Sequence, residues 1–281
     1  MRANYHTHCD LDDGKASPAA MAAAAAAAGY RILGFSSHAP MAIRTDWQLP
    51  PERLGPYVAE VRRLGSEWAG KGLEILLGLE IDWKDGDCSP AEPRWDGLGL
   101  DYRIGSVHYV SVDGAESFTV DEPDEDFSLH LAERGGDARA VWRSYYRAVS
   151  EMIMAGGFDI VGHFDLVRKN NKGGLYFDEE DPLYLSAAIG AARLLKGRDL
   201  VVEVNVGGMA RGKTSTPYPS LPVMKELRSL GVPITFSADA HAVAHLGACL
   251  DAARELAAAA GYASVAVLSG GSWREVGLAD T

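Results

Sequence analysis

The chain has 281 residues, 47% of them hydrophobic and 23% charged, the composition of a globular protein with a sizeable core rather than a disordered one. Its 39 acidic and 27 basic residues leave a formal charge of −12, which opposes non-specific nucleic-acid binding and leaves no polybasic patch for a membrane surface. Three scattered cysteines, Cys9, Cys88 and Cys249, no charge-free apolar run of the ~18 residues a membrane span needs, and no secretory pattern at the N-terminus together predict a cytoplasmic protein.

In chain order, short apolar or β-branched runs predict strands over 3–5, 32–35, 73–81, 104–110, 160–162, 200–204 and 234–236. Between them, helices are expected near 17–28, 51–69, 137–155, 179–196, 219–230 and 243–260. Ser17-Pro18 opens the first with a cap and a proline at the first helical position, and Gly29 ends it. The alanine run 22–28 is explained by helix propensity alone. The segment 111–136 interrupts the alternation with acidic sequence and reads as an insertion or lid within one domain spanning 1–281. Alternating β and α elements over the whole length predict a parallel sheet wrapped by helices, closed or open.

The histidines carry the functional signal. Six of the eight, His6, His8, His38, His108, His163 and His241, fall at or just past the C-terminal end of a predicted strand, the rim on which α/β barrels build active sites. His6-Thr7-His8 places two imidazoles on one face of a strand end, and Asp239-Ala240-His241 repeats the spacing with a carboxylate in the first place. Glu80 ends an apolar run, where a charge needs a partner or a metal. Each of these features alone is as readily a hydrogen-bonded core residue; their recurrence at one rim is what points to a site. With Asp13 they form a set of nine: His6, His8, Asp13, His38, Glu80, His108, His163, Asp239 and His241. Imidazole mixed with carboxylate suits Zn, Mn or Fe, and nine donors imply two or three divalent ions. Cys9 is a bystander, and His130 and His245 are expected at the surface.

These residues resemble the motifs of the polymerase-and-histidinol-phosphatase (PHP) superfamily. His6-Thr7-His8 with Asp13-Gly14-Lys15 resembles its first motif and Ser36-Ser37-His38-Ala39-Pro40 its second. Gly78-Leu79-Glu80 and Gly105-Ser106-Val107-His108 resemble its third, and Gly162-His163-Phe164-Asp165 and Ser237-Ala238-Asp239-Ala240-His241 complete the series. Ser37 departs from the acidic residue many members carry there. Within the superfamily, the extended strings around residues 6–17, 162–171 and 202–212 are most similar to the histidinol-phosphatase branch.

The resemblance implies a distorted (β/α)7 barrel with a trinuclear site. His6, His8, Glu80 and Asp239 would hold one ion, a bridging Glu80 with His108 and His163 a second, and Asp13, His38 and His241 a third. It implies hydrolysis of a small phosphorylated substrate, L-histidinol phosphate, by a metal-bridging hydroxide, with Asp13, Glu80, Asp239 and His241 catalytic. Arg168 and Arg211 would contact the phosphate, with Lys169, Lys172 and Lys213 as weaker candidates. Two alternatives remain open: a phosphoesterase of the same superfamily acting on another small phosphorylated metabolite or a nucleotide, and a non-catalytic metal-binding barrel.

Overall fold

The run Ile32–Phe35 is buried at every position and Glu74–Asp82 at every position but the first, the pattern of strands covered on both faces. In the computed structural model, which describes residues 1–281, the strands are β1 (Ala3–Asn4), β2 (Ile32–Phe35), β3 (Glu74–Asp82), β4 (Tyr102–Ser106), β5 (Tyr109–Val110), β6 (Phe118–Thr119), β7 (Ile160–Val161), β8 (Val201–Asn205), β9 (Ile234–Ser237), β10 (Ser264–Ser269) and β11 (Ser272–Gly277). Seven of them form one sheet in the order β1-β2-β3-β4-β7-β8-β9, every neighbouring pair parallel. The helices are α1 (Pro18–Ala27), α2 (Pro51–Trp68), α3 (Asp124–Glu133), α4 (Ala138–Ala155), α5 (Pro182–Arg193), α6 (Gly207–Ala210), α7 (Leu221–Ser229) and α8 (Leu250–Ala259). None is long and apolar enough to cross a membrane.

The first and last strands meet just beyond their own ends. Thr7 forms a parallel bridge with Ala240, the His8 amide donates to the Ala240 carbonyl at 3.0 Å, and the Ala240 amide donates to the His6 carbonyl at 3.1 Å. This seam nearly closes the sheet into the expected (β/α)7 barrel, and it does so at the rim where the histidines lie. Closure therefore sets His6 and His8 beside Asp239 and His241, although more than 200 residues separate the two pairs in the chain.

Inside the barrel Tyr102 reaches across from β4, its hydroxyl proton shared between the carbonyls of Tyr5, just past β1, and Phe35 on β2. Gly78 on β3 makes room for that ring: a Cβ there would lie 2.4 Å from Tyr102 Cζ.

Three features differ from the sequence expectation. The stretch expected as one strand over 104–110 is two, because β4 pairs within the barrel whereas β5, beyond Val107-His108, pairs with β6 instead. The expected insertion is folded: β5 and β6 pair as an antiparallel hairpin and α3 follows. The C-terminal hairpin β10-β11 had no counterpart, although Gly270-Gly271 between two alternating runs is a hairpin signal. It packs on the barrel floor, with Tyr5 Oη accepting from the Leu268 amide at 2.7 Å, Trp273 against Tyr5, and Glu74 accepting from Ser269 Oγ at 2.6 Å.

Gly78→Ala should destabilise the protein by the ~1–3 kcal/mol typical of overpacking. At this chain length that is a fall in Tm of about 3–10 °C by thermal unfolding. An unchanged Tm would mean that the Tyr102 ring yields freely.

Candidate metal centre

Every one of the nine expected ligands lies at the C-terminal rim, delivered by the strands and the residues immediately after them. Glu80 is the hub, fully buried on β3. Its Oε2 lies 3.0 Å from His6 Nε2, 3.0 Å from His38 Nδ1 and 3.6 Å from His8 Nε2. Its Oε1 lies 2.8 Å from His163 Nε2 and 3.7 Å from His108 Nε2, and accepts from Ser106 Oγ at 2.6 Å. Asp239 joins the cluster on the seam side, with Oδ1 3.5 Å from His8 Nε2 and 3.4 Å from His241 Nδ1. Asp13 completes it, with Oδ2 3.2 Å from His241 Nε2. Asp239 takes a backbone φ of 46°, an uncommon conformation for a residue other than glycine, and Gly207 leaves the room: a Cβ there would meet Asp239 Oδ2 at 2.6 Å.

A second layer of carboxylates fixes the rings. Asp12 Oδ2 lies 2.8 Å from His8 Nδ1, Glu203 Oε2 3.0 Å from His6 Nδ1, and Asp82 Oδ1 2.7 Å from His108 Nδ1. An Nδ1–H donated to each carboxylate leaves each Nε2 lone pair facing inward, the arrangement by which outer carboxylates orient metal-binding histidines. Glu203 also accepts from the His163 amide at 2.7 Å, and Asn205 Nδ2 donates to it at 2.7 Å. Sequence reasoning missed Asp12, Asp82 and Glu203. Only a period-of-two signal was there to find Asp82, which shares a strand face with Glu80.

The donors suit a cation. His6 Nε2, His8 Nε2, His38 Nδ1, Asp13 Oδ1 and Glu80 Oε2 are buried without a hydrogen-bond partner, a costly state for polar atoms unless something else binds them. They fall into overlapping groups whose donor atoms lie within 4.8 Å of one another: His6, His8 and Glu80; Glu80, His108 and His163; and His8, Asp13, His38 and His241. A further group joins His38 and His108 with Asp82. The first three resemble the expected partition, except that Asp239, expected with His6, His8 and Glu80, falls in none of them and His8 joins two.

A cavity of about 370 Å³ opens over this floor. Asp13, Glu80, Asp239 and His241 line it, whereas His6 and His8 lie beneath. Arg211 lines it too, its Nη2 donating to Asp239 Oδ2 at 3.0 Å and its Nη1 to the Asp239 carbonyl at 2.9 Å. Arg168, expected beside it, is not brought to the cavity. Its guanidinium is buried in the loop layer, donating to Glu179 at 2.6 Å, Thr216 Oγ1 at 2.8 Å and the Pro217 carbonyl at 3.3 Å, and it does not line the cavity. Lys169 takes the neighbouring place on the wall, and the expected insertion contributes Thr119, Asp121, Glu122 and Pro123. Lys172 and Lys213 lie away from it, bound to the Gly212 carbonyl and Asp124. Trp47, unremarked in the sequence, stands edge-on to His38 with ring centroids 4.7 Å apart.

The electrostatics yield a pH test. Burial opposes charge on His8, but Asp12, Asp239 and Asp13 outweigh it and lift the imidazole to about 10 from an ordinary 6.5. Asp82 and Glu80 outweigh burial at His108 in the same way and lift it to about 9. His241 is the exception, held down by burial and by His8. Raised imidazoles contribute stability that is complete below pH 6.5 and lost as pH climbs through 9 and 10. In chelator-treated protein, Tm should fall by about 5 °C over that range, the shift that about 2 kcal/mol produces at this size. A divalent ion replacing the protons should abolish the fall. A flat profile without metal would contradict the assignment of charge.

Comparison with known proteins agrees with this fold. The PHP domain family model matches residues 4–207. A Deinococcus radiodurans protein named "Probable histidinol-phosphatase" is 33% identical over 245 residues, covering 86% of this chain and 87% of that one. A solved Listeria monocytogenes structure, provisionally named for the same activity, superposes with a TM-score of 0.77 at 18% identity, over 89% of this chain and 99% of that one. A Lactococcus lactis histidinol phosphate phosphatase, solved with zinc, L-histidinol and phosphate, superposes with a TM-score of 0.69 at 20% identity, over 97% of this chain and 98% of that one. On motifs, barrel and donor cluster together, the chain belongs to the PHP domain family.

Proposed function

We propose that this protein is a metal-dependent phosphomonoesterase that hydrolyses L-histidinol phosphate to L-histidinol and phosphate, a step of histidine biosynthesis. The observation that carries the reaction class is the convergence of nine imidazole and carboxylate donors, seven of them buried, under a cavity that also presents Arg211 and Lys169. The substrate is carried by the 33% identity to the Deinococcus protein named for that activity. The nine residues would hold two or three divalent ions, Zn, Mn or Fe. When bound, such ions act as Lewis acids toward phosphoryl oxygens and lower the pKa of a water.

The chain's own groups divide the remaining work. Glu80 faces five imidazoles, so it is the residue able to share ions between groups. Asp13, Glu80, Asp239 and His241 line the cavity together with His38, His108 and His163, and we assign the catalytic part to the first four. Arg211 offers a charged fork to the phosphate, a geometry that matches two phosphoryl oxygens at once. Asp239 holds that fork in place through two hydrogen bonds. Lys169 adds a second cation on the same wall. Arg168 braces the loop carrying Thr216 and Pro217 against the one carrying Lys169, so its part is positioning.

Two measurements check this. Phosphate release should favour L-histidinol phosphate at least tenfold over sugar phosphates and nucleotides, with Mn, Zn and Fe added separately. Equal turnover of nucleotides or sugar phosphates would leave a phosphoesterase of another substrate, and no release from any ester with metal bound would leave a non-catalytic barrel. Arg211→Ala should lower kcat/KM by about ten- to a hundredfold, the worth of a charge-assisted contact, without loss of metal. Unchanged kinetics would remove Arg211 from the site.

A further inference from the structure

The barrel strand β8 carries none of the nine donors, yet its end holds two fully buried polar residues, Glu203 and Asn205. Asn205 joins the metal floor to the loop that bears Arg211. Its Nδ2 donates to Glu203 Oε1 at 2.7 Å and reaches Asp239 Oδ2 at 3.4 Å. Its Oδ1 accepts from the Gly207 amide at 2.8 Å. Its main chain takes the far end of the same loop: the Asn205 amide donates to the Tyr218 carbonyl at 2.8 Å, and the Tyr218 amide donates back at 2.9 Å. One residue thus grips the segment 206–217 at both ends. Arg211 lies between them, its amide donating to the Gly207 carbonyl at 3.1 Å and its side chain 24% exposed.

This place requires an amide, which donates and accepts at once. Aspartate would set a third carboxylate against Glu203 and Asp239. Alanine would leave the Gly207 amide without its side-chain partner and both carboxylates without a donor. The arrangement also divides the work of Asp239. Its Oδ2 is taken by Asn205 and Arg211, while Oδ1 is left facing His8 Nε2 and His241 Nδ1.

We propose that Asn205 is a positioning residue for oxyanion binding: it fixes Arg211 over the metal floor by holding both the loop that carries the arginine and the Asp239 oxygen that its fork grips. This rests on the phosphomonoesterase reading above, with Arg211 as the phosphate contact. A long arginine side chain has much rotamer freedom to lose on gripping a ligand, so one held in place beforehand binds more tightly.

The test is a double-mutant cycle read by binding rather than by turnover. The Kd of inorganic phosphate for manganese-loaded protein is measured by calorimetry for wild type, Asn205→Ala, Arg211→Ala and the double variant, with metal content determined on each. Arg211→Ala should weaken phosphate by about tenfold or more, the worth of a charge-assisted contact. Asn205→Ala should weaken it by roughly fivefold, the worth of one pre-ordered long side chain, at unchanged metal content. The double variant should be no more than about twofold weaker than Arg211→Ala, because Asn205 then has no arm to hold. Asn205→Ser, whose hydroxyl is too short to bridge Gly207 and Asp239, should repeat the pattern, so the result does not depend on one variant folding. Losses that multiply, an unchanged Kd in both Asn205 variants, or weakening only where metal is lost overturn the role of Asn205 and leave the phosphatase reading standing. Wild type that binds phosphate but releases none from any ester overturns the functional reading instead, and wild type that binds no phosphate overturns both.

Discussion

Glu80 is a carboxylate withdrawn wholly from water and faced by five imidazoles, and the rest of the rim is arranged around that fact. An isolated buried carboxylate would be prohibitively costly, so its surroundings must supply positive charge, either as protons on the histidines or as metal. The neighbouring imidazoles hold Glu80 ionised well below the ordinary carboxylate range despite the opposing effect of burial. A ring of acidic residues, Asp12, Asp82 and Glu203, then fixes the orientation of three of those imidazoles. Carboxylate, imidazole and outer carboxylate thus form successive shells, and no shell is stable without the one inside it.

The barrel exists to bring those shells together. Six of the seven parallel strands deliver donors at or beyond their ends, β8 supplying instead the outer carboxylate Glu203, and their register sets the height at which each stands. The bridge between Thr7 and Ala240 closes the ring at that same height. Packing inside the barrel fixes the strand spacing through large residues such as Tyr102, which is why a glycine at 78 is a structural matter although its neighbour Glu80 is a chemical one. The insertion after β4 then covers one side of the floor, contributing wall residues but no donor of the nine.

Much of this was legible in the sequence, for identifiable reasons. The seven barrel strands are short apolar runs bounded by turn residues, and their ends coincide with the histidines, so fold and ligand set could be read together. The outer carboxylates were not legible, because Asp12, Asp82 and Glu203 are ordinary acidic residues until their distance to an imidazole is known. Arg168 was misplaced for the same reason: sequence position put it on the right loop, but only packing reveals that Glu179, Thr216 and Pro217 take its donors. The C-terminal hairpin carried a turn signal, but its value lies in a long-range contact with Tyr5 that no local pattern shows. What chemistry requires of residue type can be read from the chain; what geometry requires of partners cannot.

The central claim is that Glu80 lies at the middle of a multinuclear site rather than of a protonated histidine cluster. Anomalous diffraction from manganese-loaded crystals tests it directly. The account predicts two or three peaks flanking Glu80, at least one of them at about 2.0–2.2 Å from a Glu80 oxygen, the distance typical of carboxylate ligation. A single peak away from Glu80, or none with manganese in excess, would contradict it.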